Sequence, residues 1–405
     1  MSGRRNPRPS WPAAAPWIAL AIASAFTGVP TPSFAQSPDS TEVASPRPFV
    51  AGGYDDKPYL TGIFGRIAVG GYIDFQAAWE REDGVTEEGG FNLKRWNLLT
   101  HTRVSPRIDV WAEVEFEDGG EEIRLELAQI DLGLYSAFGV RGGMLLLPLG
   151  RFNLSHDGPR NEFTDRPLVA TELVGSALSM PGLGVFGQVP VGVGRTTYEL
   201  YAVNGYTRDI IDNSAAGTRL PAGRFNPEDE NAEPSLVGRL AWDVGEAGEI
   251  GVSGLSGLYN MPQIDGLVTD ERRLVQVGTL DVRALVLGFA WNGEGTLVDV
   301  DIHPGLVGLY ASRQAGFFLD VSHGFGTGWI SSLPRSSFSA AARIEGVDFD
   351  RDVAGDSIQQ LTLGLHFRAT PESVVKMDYR RGRNRDRFNN SAEAAGFLFS
   401  LTSYF

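Results

Sequence analysis

The sequence predicts an all-β fold, a transmembrane antiparallel β-barrel of about 16 strands whose long third loop folds into the lumen. Three observations predict this fold. Segments of alternating apolar and charged residues recur along the chain, short and long connections alternate between them, and an apolar segment lies at the N-terminus. The barrel is expected to occupy residues 63–405.

Alternation begins just after residue 62. Between residues 66 and 79 the odd positions are apolar, as at Ile73, whereas even positions carry Asp74 and Gln76. Successive side chains of a strand point to opposite faces, so each segment has one apolar face and one charged face. A soluble sandwich shows the same alternation. These segments, however, run for ten residues or more, the length that a tilted strand needs to cross a bilayer.

The segment between Glu122 and Leu134 changes parity. Its apolar residues occupy odd positions up to Leu127 and even positions from Ile130 onward. One extra residue in a strand reverses the side that later residues face. The sequence therefore predicts a β-bulge in this segment.

The connections fall into two classes that alternate along the chain. Outer-membrane barrels have short turns at the periplasmic end and long loops at the outer end. Two connections depart from this rule: 118–121 is short although it lies on the long-loop side, and 326–335 is long although it lies on the short-turn side. The predicted short turns are 105–107, 136–139, 191–194, 245–248 and 369–372, and the predicted long loops are 82–90, 148–182, 207–234, 261–271, 298–310, 350–357 and 384–393.

The N-terminus has the pattern of a secretory signal peptide. Arg4, Arg5 and Arg8 precede an apolar stretch over residues 17–26, and Ser33-Phe-Ala35 supplies small residues at the cleavage positions. The stretch is too short for a membrane-spanning helix, which needs about 20 apolar residues. We therefore expect residues 1–35 to be removed. Residues 36–62 are expected to form an N-terminal periplasmic segment, with disorder as one option.

The C-terminus ends on an aromatic residue. Phe397, Phe399, Leu401 and Phe405 share one parity, whereas Ser403 breaks the apolar series. Such an ending resembles the signal that the barrel assembly machinery recognises, which predicts that machinery as a partner through Phe405. Outer-membrane lipid is the second expected partner.

Composition and residue pattern argue against several classes of function. The formal charge of −15 disfavours binding to nucleic acid, and the absence of cysteine excludes disulfides and thiol chemistry. The five histidines are scattered, and the nearest acid–base pairs, His156–Asp157 and Asp301–His303, lack a third triad member nearby in sequence. We expect no enzyme, no cofactor and no metal. Residues 36–62 are too few for the plug of a TonB-type receptor.

Three motifs, taken in order, resemble the phosphate-selective porin O/P family of Gram-negative bacteria. They are Phe91-Asn-Leu-Lys-Arg-Trp-Asn-Leu98 before a charged hairpin, Leu127-Ala-Gln-Ile-Asp-Leu132, and Gly142-Gly-Met-Leu-Leu-Leu-Pro-Leu-Gly150 before a long loop that ends near Thr164-Asp-Arg-Pro-Leu168. The resemblance covers most of residues 63–405 and implies a homotrimeric barrel of about sixteen strands with an inserted third loop. Phosphate specificity does not carry over, because the chain is acidic and has only three lysines.

The sequence therefore predicts an outer-membrane porin for passive diffusion of small hydrophilic solutes or ions, with anions such as phosphate as one option. A substrate-specific channel or a structural barrel without a transport role is the alternative. Rings of charged side chains set ion preference at a constriction, although such charges also form ion pairs that brace a barrel wall. The candidates are Arg151, Asp157, Arg160, Glu162, Asp165 and Arg166 in loop three, and Arg95, Arg103, Glu113 and Glu115 on the inward faces of strands.

Overall fold

A computed structural model describes Lys57, residues 67–212 and residues 217–405. The expectations for the signal peptide 1–35 and the segment 36–62 fall outside these residues, apart from Lys57. In the described ranges the strands are β1 Ile67–Glu82, β2 Val85–Ser105, β3 Ile108–Glu117, β4 Glu122–Tyr135, β5 Phe138–Leu146, β6 Ser179–Val191, β7 Gly194–Val203, β8 Ser235–Asp243, β9 Gly248–Leu258, β10 Gln263–Ile264, β11 Leu267–Val268, β12 Leu274–Val286, β13 Phe289–Val300, β14 Arg313–Phe325, β15 Ser337–Asp348, β16 Ser357–Thr370, β17 Ser373–Arg385 and β18 Ser391–Tyr404.

All of these strands except β10 and β11 form one closed antiparallel barrel, in which β1 pairs with β18. The predicted barrel of sixteen strands is confirmed. β10 and β11 form a separate small hairpin inside the connection between β9 and β12. The short helical segments are Asp118–Gly120, Phe152–Leu154, Val169–Val174, α1 Asp209–Asp212, Leu220–Gly223 and Gly245–Ala247. Within the described ranges, no helix has the length and hydropathy needed to cross a bilayer.

The predicted parity of the first strand is confirmed. Ile67, Val69 and Ile73 are exposed on the outside of β1, whereas Asp74 points inward and is buried. Because the side-chain period of a strand is two residues, this orientation holds until a bulge interrupts it.

The predicted bulge lies in β4, opposite β3. Pairing passes from Glu113–Leu127 to Val114–Leu125, so Glu126 has no partner on β3. Glu126 and Leu127 are both buried, and Leu127 packs against Trp111. Leu127 therefore faces inward and does not continue the outward apolar series of Ile123 and Leu125.

Two predicted connections have different bounds in the structure. Residues 82–90 do not form a long loop, because β1 and β2 remain paired up to a two-residue turn at Asp83 and Gly84, where both φ angles are positive, at 46° and 83°. The third connection at the long-loop end spans residues 147–178. It is shorter than the predicted 148–182 because β6 already begins at Ser179. The predicted contrast between short turns and long loops holds for most of the other connections.

The barrel interior holds an apolar cluster at the long-loop end of one side. Inward-facing apolar residues of β7–β9 and β12–β15, including Tyr201, Val277 and Phe318, form one buried cluster with the connections 147–178 and 204–234. The same strands carry buried charged residues nearer the short-turn end, among them Arg239, Asp281 and Glu294. The predicted charged inner face is therefore present on these strands as well, whereas the apolar cluster was not predicted.

Candidate pore site

Loop three, defined as residues 147–178, is held by carboxylates of the inner wall. The backbone N–H of Thr164 donates to Asp378 of β17 at 2.7 Å, and that of Leu168 donates to Glu345 of β15 at 2.7 Å. The N–H of Phe152 donates to Glu294 of β13. Backbone donors that leave water need partners, and here inward-facing acidic side chains supply them.

Two of the three lysines of the chain contact loop three. Lys376 Nζ donates to the carbonyls of Gly158 at 2.8 Å and Phe163 at 3.0 Å. Lys57 Nζ lies 2.8 Å from Glu113 and 3.0 Å from Asp157. Burial alone would raise the pKa of Asp157, but Lys57, His156 and the hydrogen bond donated by Tyr404 together outweigh it and lower that pKa. The sequence analysis missed both lysines, and their rarity is the signal that could have identified them.

Two histidines join loop three to the wall. His156 Nε2 lies 2.9 Å from Glu126 of β4, and burial together with the charge of Arg166 lowers the pKa of His156 to about 4. His366 of β16 lies 3.3 Å from Glu162. Burial alone would raise the pKa of Glu162, but the hydrogen bond with His366 and the charges of Arg368, His366 and Lys376 together outweigh it and hold that pKa at about 2.

Two arginines converge on Glu115. Arg95 Nε lies 3.2 Å from Glu115 and 3.1 Å from Glu117, and an Nη atom of Arg166 lies 3.5 Å from Glu115. Arg166 is buried, and its Nε has no hydrogen-bond partner among the described residues. Arg166 also borders the space between the wall and the later part of loop three.

That space is a cavity of about 540 Å³ between β1–β2, β16–β17 and the later part of loop three. Its walls carry both signs of charge. Arg380 bridges Asp165, at 2.5 Å, and Glu80 across it. The polar lining residues are Gln76, Glu80, Asn92, Lys94, Arg95, Thr164, Asp165, Arg166, Thr171, Glu172, Gln360 and Arg380.

The predicted site residues fall into separate groups. Arg95, Asp165 and Arg166 line the cavity, and Arg95, Arg166 and Glu115 are mutually linked. Glu113 and Asp157 meet at Lys57. The remaining candidates lie elsewhere. Glu162 contacts His366, and buried Arg151 lies 3.9 Å from Glu249. Exposed Arg160 lies over the ring of Tyr404 at 5.8 Å, and exposed Arg103 pairs with Asp109 at 3.2 Å near the short-turn end.

Glu126 is a further inward residue that the sequence analysis did not name. Its position at the bulge, read from the parity change in β4, was the available signal. In the described part of the chain, no group of three or more histidine and acidic side chains is arranged to hold a metal ion.

Comparison with known proteins identifies the fold. No family model matches the chain. A protein of Aquifex aeolicus (strain VF5), described as "Uncharacterized protein", is 23% identical over 358 residues, which cover 82% of this chain and 79% of that protein.

Three solved structures are similar to this chain. OmpF of Salmonella typhi in complex with daunomycin matches 86% of this chain and all of its own, with a TM-score of 0.54 and 10% identity. The chain has the fold of outer-membrane porins. The outer-membrane channel DcaP of Acinetobacter baumannii matches 85% of this chain and 99% of its own, with a TM-score of 0.51 and 12% identity. OmpT of Vibrio cholerae in a trimer form matches 84% of this chain and all of its own, with a TM-score of 0.50 and 8% identity. At such identities the likeness concerns the fold alone.

Proposed function

We propose that this protein is a porin of the Gram-negative outer membrane that allows passive diffusion of small hydrophilic solutes or ions. The observation that carries the proposal is the charged cavity beside loop three, lined by Arg95, Arg166 and Arg380 together with Glu80 and Asp165. Charged groups of both signs at a narrow passage sort solutes by charge and dipole. The apolar outward face of the strands supports a position in lipid. A channel of this kind needs no catalytic group, and we propose no enzymatic activity.

Export and assembly belong to the same proposal. Removal of residues 1–35 would leave Gln36 as the first residue, and the barrel assembly machinery would recognise the strand ending at Phe405. N-terminal sequencing of the protein isolated from outer membranes tests the first step. Recovery of intact Met1 there would contradict export through a cleaved signal peptide.

Anion preference, including phosphate, is the finer form of the proposal. Four cations, Lys94, Arg95, Arg166 and Arg380, line the cavity and are the groups that an anion would contact. Buried Glu115 holds Arg95 and Arg166 from behind. The lining cations support a place near the phosphate-selective porin O/P family, and the trimer form of one OmpT structure with this fold supports a homotrimer.

Single-channel recording in planar bilayers tests the proposal. We expect ohmic conductance, and a reversal potential in asymmetric salt that reports anion preference. Deletion of residues 155–165 should raise the conductance, because it removes the part of loop three held by Lys57 and Lys376. Unchanged conductance in the deletion variant would place the narrowest passage outside loop three.

A structural barrel without a transport role is the second candidate. The packed apolar cluster at the long-loop end of β7–β9 and β12–β15 favours it, because close-packed side chains leave no room for water. The two candidates differ in one measurement. Correctly folded protein that inserts into bilayers and gives no conductance, with or without residues 155–165, would favour the structural barrel.

A further inference from the structure

Two arginines lie on the outside of the barrel, on either side of the last strand. Arg81 of β1 pairs with Ala395 of β18, and Ala395 pairs with Arg381 of β17. The Cα atoms of the two arginines are therefore about 10 Å apart at the usual strand spacing. Both side chains are exposed. We name Arg81, Ala395 and Arg381 the arginine row, and its neighbours in register are Thr86 of β2 and Leu361 of β16.

Acidic side chains lie beyond this row and not in it. Glu393, two residues closer to the long-loop end on β18, lies 3.5 Å from Arg381 and 3.9 Å from Arg383. Asp83, in the turn after β1, accepts a hydrogen bond from the backbone N–H of Glu393 at 2.9 Å. Arg383 pairs in register with Glu393 and offsets its charge. The arginine row therefore presents positive charge on the side that faces the membrane.

Aromatic side chains lie directly below the arginine row. Trp79, Phe397 and Tyr379 pair across the same three strands, two residues closer to the middle of the barrel wall. All three are exposed, and the rings of Tyr379 and Phe397 lie 5.0 Å apart. Aromatic girdles on the outer wall of a barrel mark the boundary between lipid tails and headgroups. The arginine row, about 7 Å beyond this boundary, lies at the level of the headgroups.

We propose that the arginine row binds a phosphate group of a lipid in the outer leaflet. The long-loop end of an outer-membrane barrel faces outward. Guanidinium groups recognise phosphate through paired N–H···O bonds, and only the methyl group of Ala395 separates the two arginines. Arg81 also donates to the carbonyl of Gly84 at 2.7 Å through one Nη atom, but a guanidinium has five donors.

The aromatic side chains favour a lipid over a free phosphate ion. An acyl chain attached to the bound headgroup would pack along Phe397 and Tyr379 and then along Met377, which is 52% exposed one step lower on β17. A free ion makes no such contact. The ligand class is a phosphorylated glycolipid with several acyl chains, the chemistry of lipid A.

Arg313 of β14 provides the matched control. It is also exposed at the long-loop end of the outer wall, but it pairs with Asp352, and Asp299 lies opposite it on β13. Two carboxylates beside a single arginine disfavour a second anion. The proposal rests on the outer-membrane position of the barrel given under the proposed function, but not on transport.

Native mass spectrometry of the detergent-solubilised full chain, titrated with bisphosphorylated lipid A, tests the proposal. We expect the Arg81→Gln/Arg381→Gln double variant to bind at least about tenfold more weakly than the unmodified protein, and Arg313→Gln to bind equally well. Lipid A without its phosphates should bind the unmodified protein about tenfold more weakly than the phosphorylated form. The heat-induced mobility shift on electrophoresis reports folding of each variant. Arg381→Gln alone, for which we expect a smaller loss of affinity, serves if the double variant does not fold.

Equal lipid A affinity of the folded double variant and the unmodified protein would overturn the proposal. Inorganic phosphate that binds as tightly as lipid A would also overturn it and would assign the row to a free anion. A loss of the oligomer in the double variant, without a loss of lipid A, would assign the row to a contact between copies. Conductance in planar bilayers is recorded separately, so a protein that binds lipid A but does not conduct contradicts the channel proposal alone.

Discussion

His156 Nε2 lies 2.9 Å from Glu126 Oε1, and both side chains are buried between loop three and β4. The other ring nitrogen of His156 lies 2.8 Å from the carbonyl of Asn153. A carbonyl only accepts hydrogen bonds, so Nδ1 carries a proton. The bond to Glu126 then needs one more proton, located either on Nε2 or on the carboxyl group. The pair thus binds loop three to the wall through one shared proton.

Alkaline pH should weaken this attachment. Burial and the nearby charge of Arg166 lower the pKa of His156 to about 4, so the ring is neutral at pH 7 and the shared proton lies on the carboxyl group of Glu126. Once released from each other, the two side chains lose this proton above about 6.5, the usual pKa of histidine. Above that pH the attached loop therefore binds one more proton than the released loop, and attachment weakens as the pH rises.

Protease cleavage of loop three in bilayer-inserted protein, followed from about pH 6 to about pH 9, measures the effect. We expect faster cleavage at the alkaline end. His156→Asn needs no shared proton, because its amide N–H donates to an ionised carboxylate, and should flatten the pH dependence. An equally steep profile in that variant would assign the transition to other groups.

Replacement of Lys57 by Met should loosen loop three. Lys57 neutralises both Glu113 and Asp157, and its loss would leave two buried carboxylates facing each other. Removal of one partner from a buried ion pair costs about 3–5 kcal/mol. The expected result is a lower temperature for the heat-induced mobility shift on electrophoresis. Lys57→Arg should restore most of the loss, and equal stability of Lys57→Met and the unmodified protein would exclude a bracing role.

The sequence predicted the barrel better than it predicted the interior. Parity alone separates Ile73 from Asp74, because alternation is a property of each strand. It does not tell which inward charges meet, since Lys57 and Glu113, or Glu162 and His366, are far apart in sequence. Nor does it separate the inward Val277 from outward apolar neighbours, because β12 has apolar residues on both faces. Partners of this kind depend on barrel closure and on the path of loop three.

Arg166 and Arg151 should differ in their effect on selectivity. Arg166 lines the cavity, whereas Arg151 lies in a separate group beside Glu249. Arg166→Gln is expected to shift the reversal potential in asymmetric salt toward cations, because it removes one of the four lining cations. Arg151→Gln is the control and should leave the potential unchanged. An equal shift in both variants would point to a long-range effect of charge and not to a local site.

Substitution on the two faces of β1 separates the lipid-facing side from the interior. Ile73 is 42% exposed on the outside, whereas Asp74 is 2% exposed and lies 3.4 Å from Arg95. Ile73→Arg should destabilise the barrel by about 2–4 kcal/mol if that position lies near the bilayer midplane, because a guanidinium would have to enter lipid. Asp74→Asn places no charge in lipid and keeps a hydrogen-bond acceptor for Arg95, so assembly should persist while conductance changes. Folding yield into lipid vesicles measures the first effect, and planar bilayers measure the second. Equal yields for the two variants would show that the outward face of β1 does not contact lipid.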